Sequence, residues 1–295
     1  METTKKVTSK IHSLFFTNSD NPGLRNGWWI LCFIIFIGLT RPIYKPIKQA
    51  LSDIGFTEMM LEPLSLTLVL LCSWLCVKLR KQGLGDIGLQ LNGRWFVQLF
   101  AGNAVGMLMA AMTVGIIMAL GGVSLSLNTE VVTQALLQGF YILLIAAALE
   151  EILHRGFLFQ RLIDGIGFWP AQLIIALVFA SGHWGNPAMS GTTLVLASVD
   201  LALVSIVLGL AYYKTRSLAL PLGLHLGWNW AQGYLFGFQV SGYEKAGIFT
   251  PVLSESPTWI NGGSFGLEAS IASIVVELLA LLWLIYGVKQ VAQWR

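Results

Sequence analysis

Charge is scarce in this chain. Only 11% of its 295 residues are Asp, Glu, Lys or Arg, against the roughly 25% of an ordinary globular domain. A net charge of +3, scattered along the chain, gives no basic face for nucleic acid, so no nucleic-acid partner is expected. Cysteine is nearly absent too: Cys32, Cys72 and Cys76 all lie in apolar runs. Cys72 and Cys76 share a helix face but have no metal partner near them in sequence, so they read as buried structural thiols. The sequence also lacks an internal repeat, a low-complexity tract and a His-Glu-x-x-His motif. Before Trp28 there is no apolar stretch followed by a small-residue cleavage site, so no removable signal peptide is expected.

Apolar residues are what the chain has in excess. They make up 55% of it, with eleven tryptophans and a mean hydropathy of +0.70, the signature of a protein whose solvent is lipid. A bilayer core about 30 Å thick needs roughly 20 residues of helix. That length marks candidate spans at 28–39, 59–77, 96–120, 135–159, 168–184, 194–213, 218–236 and 269–288. The expected fold is therefore all-α, a polytopic bundle of about eight transmembrane helices. It divides into a cytoplasmic N-terminal tail, 1–26, and one helical membrane domain, 27–295. The first span is short, and residues 41–58 read either as a loop or as an interfacial helix. The connection 237–267, rich in Gly, Ser and Pro, is expected outside the bilayer.

Basic residues set the orientation. With a cytoplasmic N-terminus the inner segments hold Lys5, Lys6, Lys10, Arg25, Lys78, Arg80, Lys81, Arg94, Arg155, Arg161, Lys214, Arg216, Lys289 and Arg295. The outer ones hold only Arg41, Lys45, Lys48 and Lys245. Both termini are therefore expected in the cytoplasm, and the protein in the plasma (inner) membrane.

Ionisable groups inside apolar helices are costly and so mark function by default. The fourth span carries Glu150, Glu151, His154 and Arg155. Glu151 and Arg155, four residues apart, pair on one face; Glu150 and His154 form a second such pair about 100° round the helix. The fifth run ends on His183, in Phe-Ala-Ser-Gly-His. A turn at 164–167 would make spans four and five a hairpin, with Glu150 and His183 both about 24 Å from it at 1.5 Å per residue. The seventh span holds His225 and Asn229 on one face, beside Gly223 and Gly227, which admit a close neighbour. By the same rise His225 lies only about 12 Å from its turn, so its level against Glu150 stays open. Asn186 reads either as cavity lining or as a helix cap. Glu277 reads either as a structural group or as a lipid-facing anomaly, with no basic partner close in sequence, and Asp200 carries the same ambiguity.

The order Glu150-Glu151-x-x-x-Arg155, Phe179-x-x-x-His183, His225-x-x-x-Asn229 resembles the CAAX protease and bacteriocin-processing family of intramembrane proteases, the ABI or CPBP group. The resemblance covers about 135–236. It implies an eight-helix fold with a water-filled cavity open toward the cytosol. Within it Glu150 and His183 would activate the attacking water, His225 and Asn229 would stabilise the oxyanion, and Glu151 with Arg155 would hold the helix in place. His154 falls at a variable position and stays outside this set. The family name suggests removal of three residues after a prenylated cysteine, so the expected partner is a membrane-tethered protein or peptide in the lipid bilayer. A metal is open: Glu150, His183 and His225 would supply the carboxylate and two imidazoles of a catalytic Zn2+ site, and the family carries both a metalloprotease label and a metal-free glutamate mechanism. Two other functions fit the same residues, a non-catalytic scaffold or immunity protein and a proton-coupled transporter. The absence of an inverted repeat argues against the transporter.

Overall fold

The computed structural model describes residues 24–290; the expected N-terminal tail therefore lies almost wholly outside the described residues, with Lys5, Lys6 and Lys10, as does Arg295. The first helix, α1 (Asn26–Asp53), runs on past Leu39 through Pro42 and Pro46. Each proline removes one backbone donor and frees the carbonyl four residues before it, that of Gly38 and that of Pro42, and both prolines fall beyond the apolar run. Residues 41–53 are thus helix, not loop. A single turn, Glu58–Leu61, leads into α2 (Pro63–Leu79), which opens on proline at its first position. Cys72 and Cys76 are free thiols packed with Phe33, Val77, Ile87 and Phe157, as their apolar setting suggests.

The chain continues through α3 (Gly93–Ala119), capped by Asn92, whose side chain accepts from the Trp95 amide at 3.0 Å. Next come α4 (Thr133–Arg155) and α5 (Phe157–Ile166), separated by a break at Gly156. Gly167, at φ +84°, turns the chain into α6 (Phe168–Gly182). Then follow α7 (Gly191–Thr215), α8 (Ala219–Trp230) with a π-turn at Ala231–Leu235, and α9 (Ile271–Gly287). The all-α expectation is corrected at one place. Val123–Leu127 (β1) and Phe249–Leu253 (β2) form a two-stranded antiparallel sheet, Leu125 opposite Pro251. The connection 237–267 is thereby tied to the link between α3 and α4.

Hydrogen bonds sort the connections into two ends. At one end the Leu218 amide donates to Gly88, Gln160 to the Asp86 carbonyl at 2.7 Å, Arg161 to Asn26 at 3.2 Å, and Lys214 to the Ile285 carbonyl at 2.7 Å. At the other, Asn128 donates to the Gly247 carbonyl at 3.1 Å and Asn186 to that of Ser241 at 3.1 Å. The first end is the basic one, in keeping with the expected alternation. Among the described residues five helices are long and apolar enough to cross a membrane: α1, the segment Glu58–Leu79, α3, the α4–α5 segment and α7. α6 and α9 are apolar but shorter, and α8 has 12 residues before its π-turn. Exposed Leu31, Ile34, Ile35 and Leu39 on α1 and Leu173, Ile174 and Leu177 on α6 form an apolar outer surface suited to lipid.

The tightest contact is between α3 and α8, and glycine makes it. A Cβ on Gly102 or Gly106 would stand 2.5 Å from the Leu220 carbonyl oxygen or 2.2 Å from that of Leu224. On the other side Gly223 and Gly227 would meet the Leu99 and Asn103 oxygens at 2.2 and 2.1 Å. The glycines at 223 and 227 thus admit a helix, and glycines four apart on both partners let the two backbones touch. With that face spent on α3, His225 and Asn229 turn to the opposite side.

Candidate active site

α4 packs chiefly on α8 and α2, while α6 lies against α7. The space between them is a cavity of about 430 Å³, lined among others by Glu150, His154, Phe179, His183, Asn186, His225 and Asn229. Of the six predicted site residues, Glu150, His183, His225 and Asn229 line the cavity, while Glu151 and Arg155 stand behind it.

Glu151 and Arg155 are wholly buried, their i,i+4 pair closed at 3.1 Å. The same Glu151 Oε1 accepts from His225 Nδ1 at 2.9 Å. Arg155 donates onward to the Ser205 hydroxyl on α7 at 2.8 Å, and its guanidinium lies over the Phe179 ring, 4.8 Å from the centroid. This one pair therefore joins α4, α6, α7 and α8. Buried charges need such compensation, because an unpaired ion in this interior is costly. Glu151 does more than hold a helix, since it also fixes the ring of His225. With Nδ1–H spent on Glu151, His225 turns Nε2 toward Glu150, whose Oε2 is 3.9 Å away. That is too long for a hydrogen bond. Glu150 Oε2 has no hydrogen-bond partner. The open question of level is thus answered: His225 and Glu150 face each other across the cavity.

His183 ends α6, and its Nδ1 lies 2.8 Å from the Phe179 carbonyl oxygen. A carbonyl only accepts, so Nδ1 donates here and Nε2 is the ring nitrogen left free of this bond. His154 makes the same bond to the Glu150 carbonyl oxygen, at 2.8 Å. Its partner is thus the backbone of Glu150, not its carboxylate as the spacing suggested. His154, left out of the core set, lines the cavity with its ring edge-on to Phe179. Asn186 also lines it and is no helix cap, because its amide donates to Ser241.

The far wall carries three carboxyl groups. Asp200 and Glu277 are buried and lie close enough to repel each other. Both Asp200 oxygens lack a well-formed hydrogen bond, with the Ser273 hydroxyl beside them. Glu268, in a short 3-10 turn ahead of α9, accepts from Gln232 and from the Ser241 amide and hydroxyl. Burial pushes its carboxyl up to about 7 in spite of those donors. Sequence reasoning missed Glu268, Ser205 and Gln232. Nothing in their local pattern separates them from interfacial polar residues, since their partners are 36 to 50 positions away in the chain.

Among the described residues no three His, Cys, Asp or Glu side chains gather closely enough to hold a metal ion. Glu150, His183 and His225 line one cavity, and no step below runs through a metal.

No curated protein gives a significant match to the chain. Residues 132–231, which run from the start of α4 to just past the end of α8 and hold every motif residue above, match the family described as type II CAAX prenyl endopeptidase Rce1-like.

Proposed function

We propose that this protein is an intramembrane endopeptidase of the CAAX protease type that hydrolyses a peptide bond in a membrane-tethered protein or peptide. The observation that carries the reading is the gap between Glu150 Oε2 and His225 Nε2, 3.9 Å wide, with the Glu150 oxygen unpartnered and the His225 ring held from behind by Glu151.

Peptide hydrolysis needs a base for the water, donors for the oxyanion and an acid for the leaving amine. Glu150 takes a proton from the water while the Nε2 lone pair of His183 orients it. The resulting hydroxide attacks the carbonyl carbon. The oxyanion then meets the Asn229 amide and His225 Nε2–H, with the ring charge balanced through Nδ1–H by Glu151. When the C–N bond breaks, Glu150 returns its proton to the amine, leaving an acid and an amine. Arg155 touches none of the reacting atoms; it positions Glu151, and through it His225. The reading places both termini on the cytoplasmic face of the plasma membrane.

The test is cleavage of a membrane-tethered reporter peptide in proteoliposomes. Glu150→Gln and His225→Ala are expected to insert like the parent and to lose cleavage by at least about 10³-fold, in the range seen when a base or oxyanion donor is removed. Parent-like processing by both variants would sink the assignment and favour a non-catalytic scaffold.

A further inference from the structure

His183 and Asn229 sit where their helices give out. His183 caps the C-terminus of α6, and Asn229 is one residue from the end of α8, which passes at Ala231 into a π-turn. The last turn of a helix has carbonyls without helical partners and frays readily, so bonds from outside must hold these two side chains still. Residues three positions further along each segment make them. The Asn186 backbone N–H donates to the His183 carbonyl at 2.9 Å, and its side chain donates to the Ser241 carbonyl at 3.1 Å. Gln232 donates through Nε2 to the Gln239 carbonyl at 2.6 Å and to Glu268 Oε2. Glu268 Oε1 in turn accepts from the Ser241 amide at 3.2 Å and hydroxyl at 3.1 Å. One buried carboxyl, outside the segment that matches the family, thus closes a chain of bonds between the ends of α6 and α8. There is no slack around it: a Cβ on Gly266, at φ +112°, would stand 2.1 Å from the Gln239 oxygen and 2.9 Å from Glu268 Oε2.

We propose that Glu268 is a positioning residue for the hydrolysis: by accepting from Gln232 with one oxygen and from Ser241 with the other, it fixes the separation of His183 and Asn229 across the cavity. The inference rests on the endopeptidase reading above and deepens it, because His183 serves the water and Asn229 the oxyanion. Glu268 itself touches no reacting atom. A carbonyl only accepts, so the bond to Gln239 fixes which way the Gln232 amide points, and Gln232 must offer N–H to position 268. The Ser241 backbone N–H must do the same. Glutamine at 268 therefore sets an N–H group against an N–H group at one of the two, and alanine leaves all three donors unbonded. Either change frees the connection to move relative to α8. A misplacement of about 1 Å in such a site costs on the order of 10²-fold in rate.

The experiment compares Glu268→Gln and Glu268→Ala with the parent on the tethered reporter. A fall in kcat of about 10- to 100-fold with KM nearly unchanged is expected, the pattern of a disturbed transition state. In an Asn229→Ala background the further loss from Glu268→Ala should be much smaller, because the separation it fixes no longer matters. A second readout needs no turnover. In protein carrying fluorinated tryptophan, the fluorine resonances of Trp184, next to His183, and Trp228, next to Asn229, should shift or broaden in Glu268→Ala. That of Trp29, packed on Phe157 toward the opposite end, should stay where it is. Parent-like kcat, a loss carried by KM alone, an equal loss in the Asn229→Ala background, or unmoved Trp184 and Trp228 resonances overturns the proposal. The endopeptidase reading fails on different results, a parent that cleaves nothing or cleavage that survives Glu150→Gln, and the fluorine resonances decide the role of Glu268 in either case.

Discussion

Replacing Glu151 with glutamine tests whether one buried carboxylate serves both architecture and chemistry. Its Oε1 accepts from Arg155 at 3.1 Å and from His225 at 2.9 Å, and both charged side chains of the Glu151–Arg155 pair are fully buried. Glutamine keeps the shape and removes the charge. Arg155 would then hold a positive charge in the interior with only Ser205 and the Phe179 face to receive it. Breaking one side of such a pair costs about 3–5 kcal/mol, a large part of a typical total stability of about 5–15 kcal/mol. Cleavage should fall as well, by about 10²- to 10⁴-fold, the scale of losing a carboxylate that fixes a histidine tautomer. Thermal unfolding of the detergent-solubilised protein and reporter cleavage read the two effects separately. The double variant Glu151→Gln/Arg155→Met removes the stranded charge, so it should regain much of the stability while staying inactive. A single variant as stable as the parent would refute the energetic argument. Restored cleavage in the double variant would refute the claim that Glu151 acts through His225.

Three further outcomes follow from the same geometry. Gly227→Ala puts a Cβ 2.1 Å from the Asn103 oxygen and must push α8 off α3; a loss of about 1–3 kcal/mol or more with lowered kcat is expected, and an unchanged melting temperature would count against the glycine contact. The Glu268 carboxyl has an ordinary value of 4.5 and is raised to about 7 by burial, so the folded state holds its proton more tightly than the unfolded one. Its contribution to stability is full below pH 4.5 and is lost as pH rises toward 7, by at most about 3 kcal/mol; Glu268→Gln should flatten that slope, and an identical pH profile would refute it. Dialysis against a chelator should leave reporter cleavage at the parent rate, because no three donors gather for a metal among the described residues; a loss restored by zinc and not by magnesium would put a metal back in the mechanism.

The elements and the site were legible to different degrees, for reasons that lie in chain distance. Helix-forming apolar runs and the break at Gly167 are local, so the spans from the second onward fall close to the observed helices. The Glu151–Arg155 pair is local too and appears where its spacing puts it. The first span is short in the sequence because the apolar run stops at Leu39, while the helix itself continues through Pro42 and Pro46 to Asp53. The β1–β2 pairing joins residues more than a hundred positions apart, and the short polar strand at Val123–Leu127 carries no signal of its partner.

The adjacent glutamates show where local reading stops. Neighbouring positions on a helix point about 100° apart, so the two carboxylates had to face different surroundings. Which one meets the cavity is decided by α8: glycines on one of its faces commit that face to α3, and this swings His225 back toward α4. There its two ring nitrogens meet the two carboxylates separately, Nδ1 on Glu151 at 2.9 Å and Nε2 opposite Glu150 at 3.9 Å. One carboxylate is thereby spent on orientation and the other left with an unpartnered oxygen. The different settings of Glu150 and Glu151 thus trace to the close α3–α8 contact at Gly102, Gly106, Gly223 and Gly227. Swapping the pair's roles would require rotating α4, not exchanging two identical side chains.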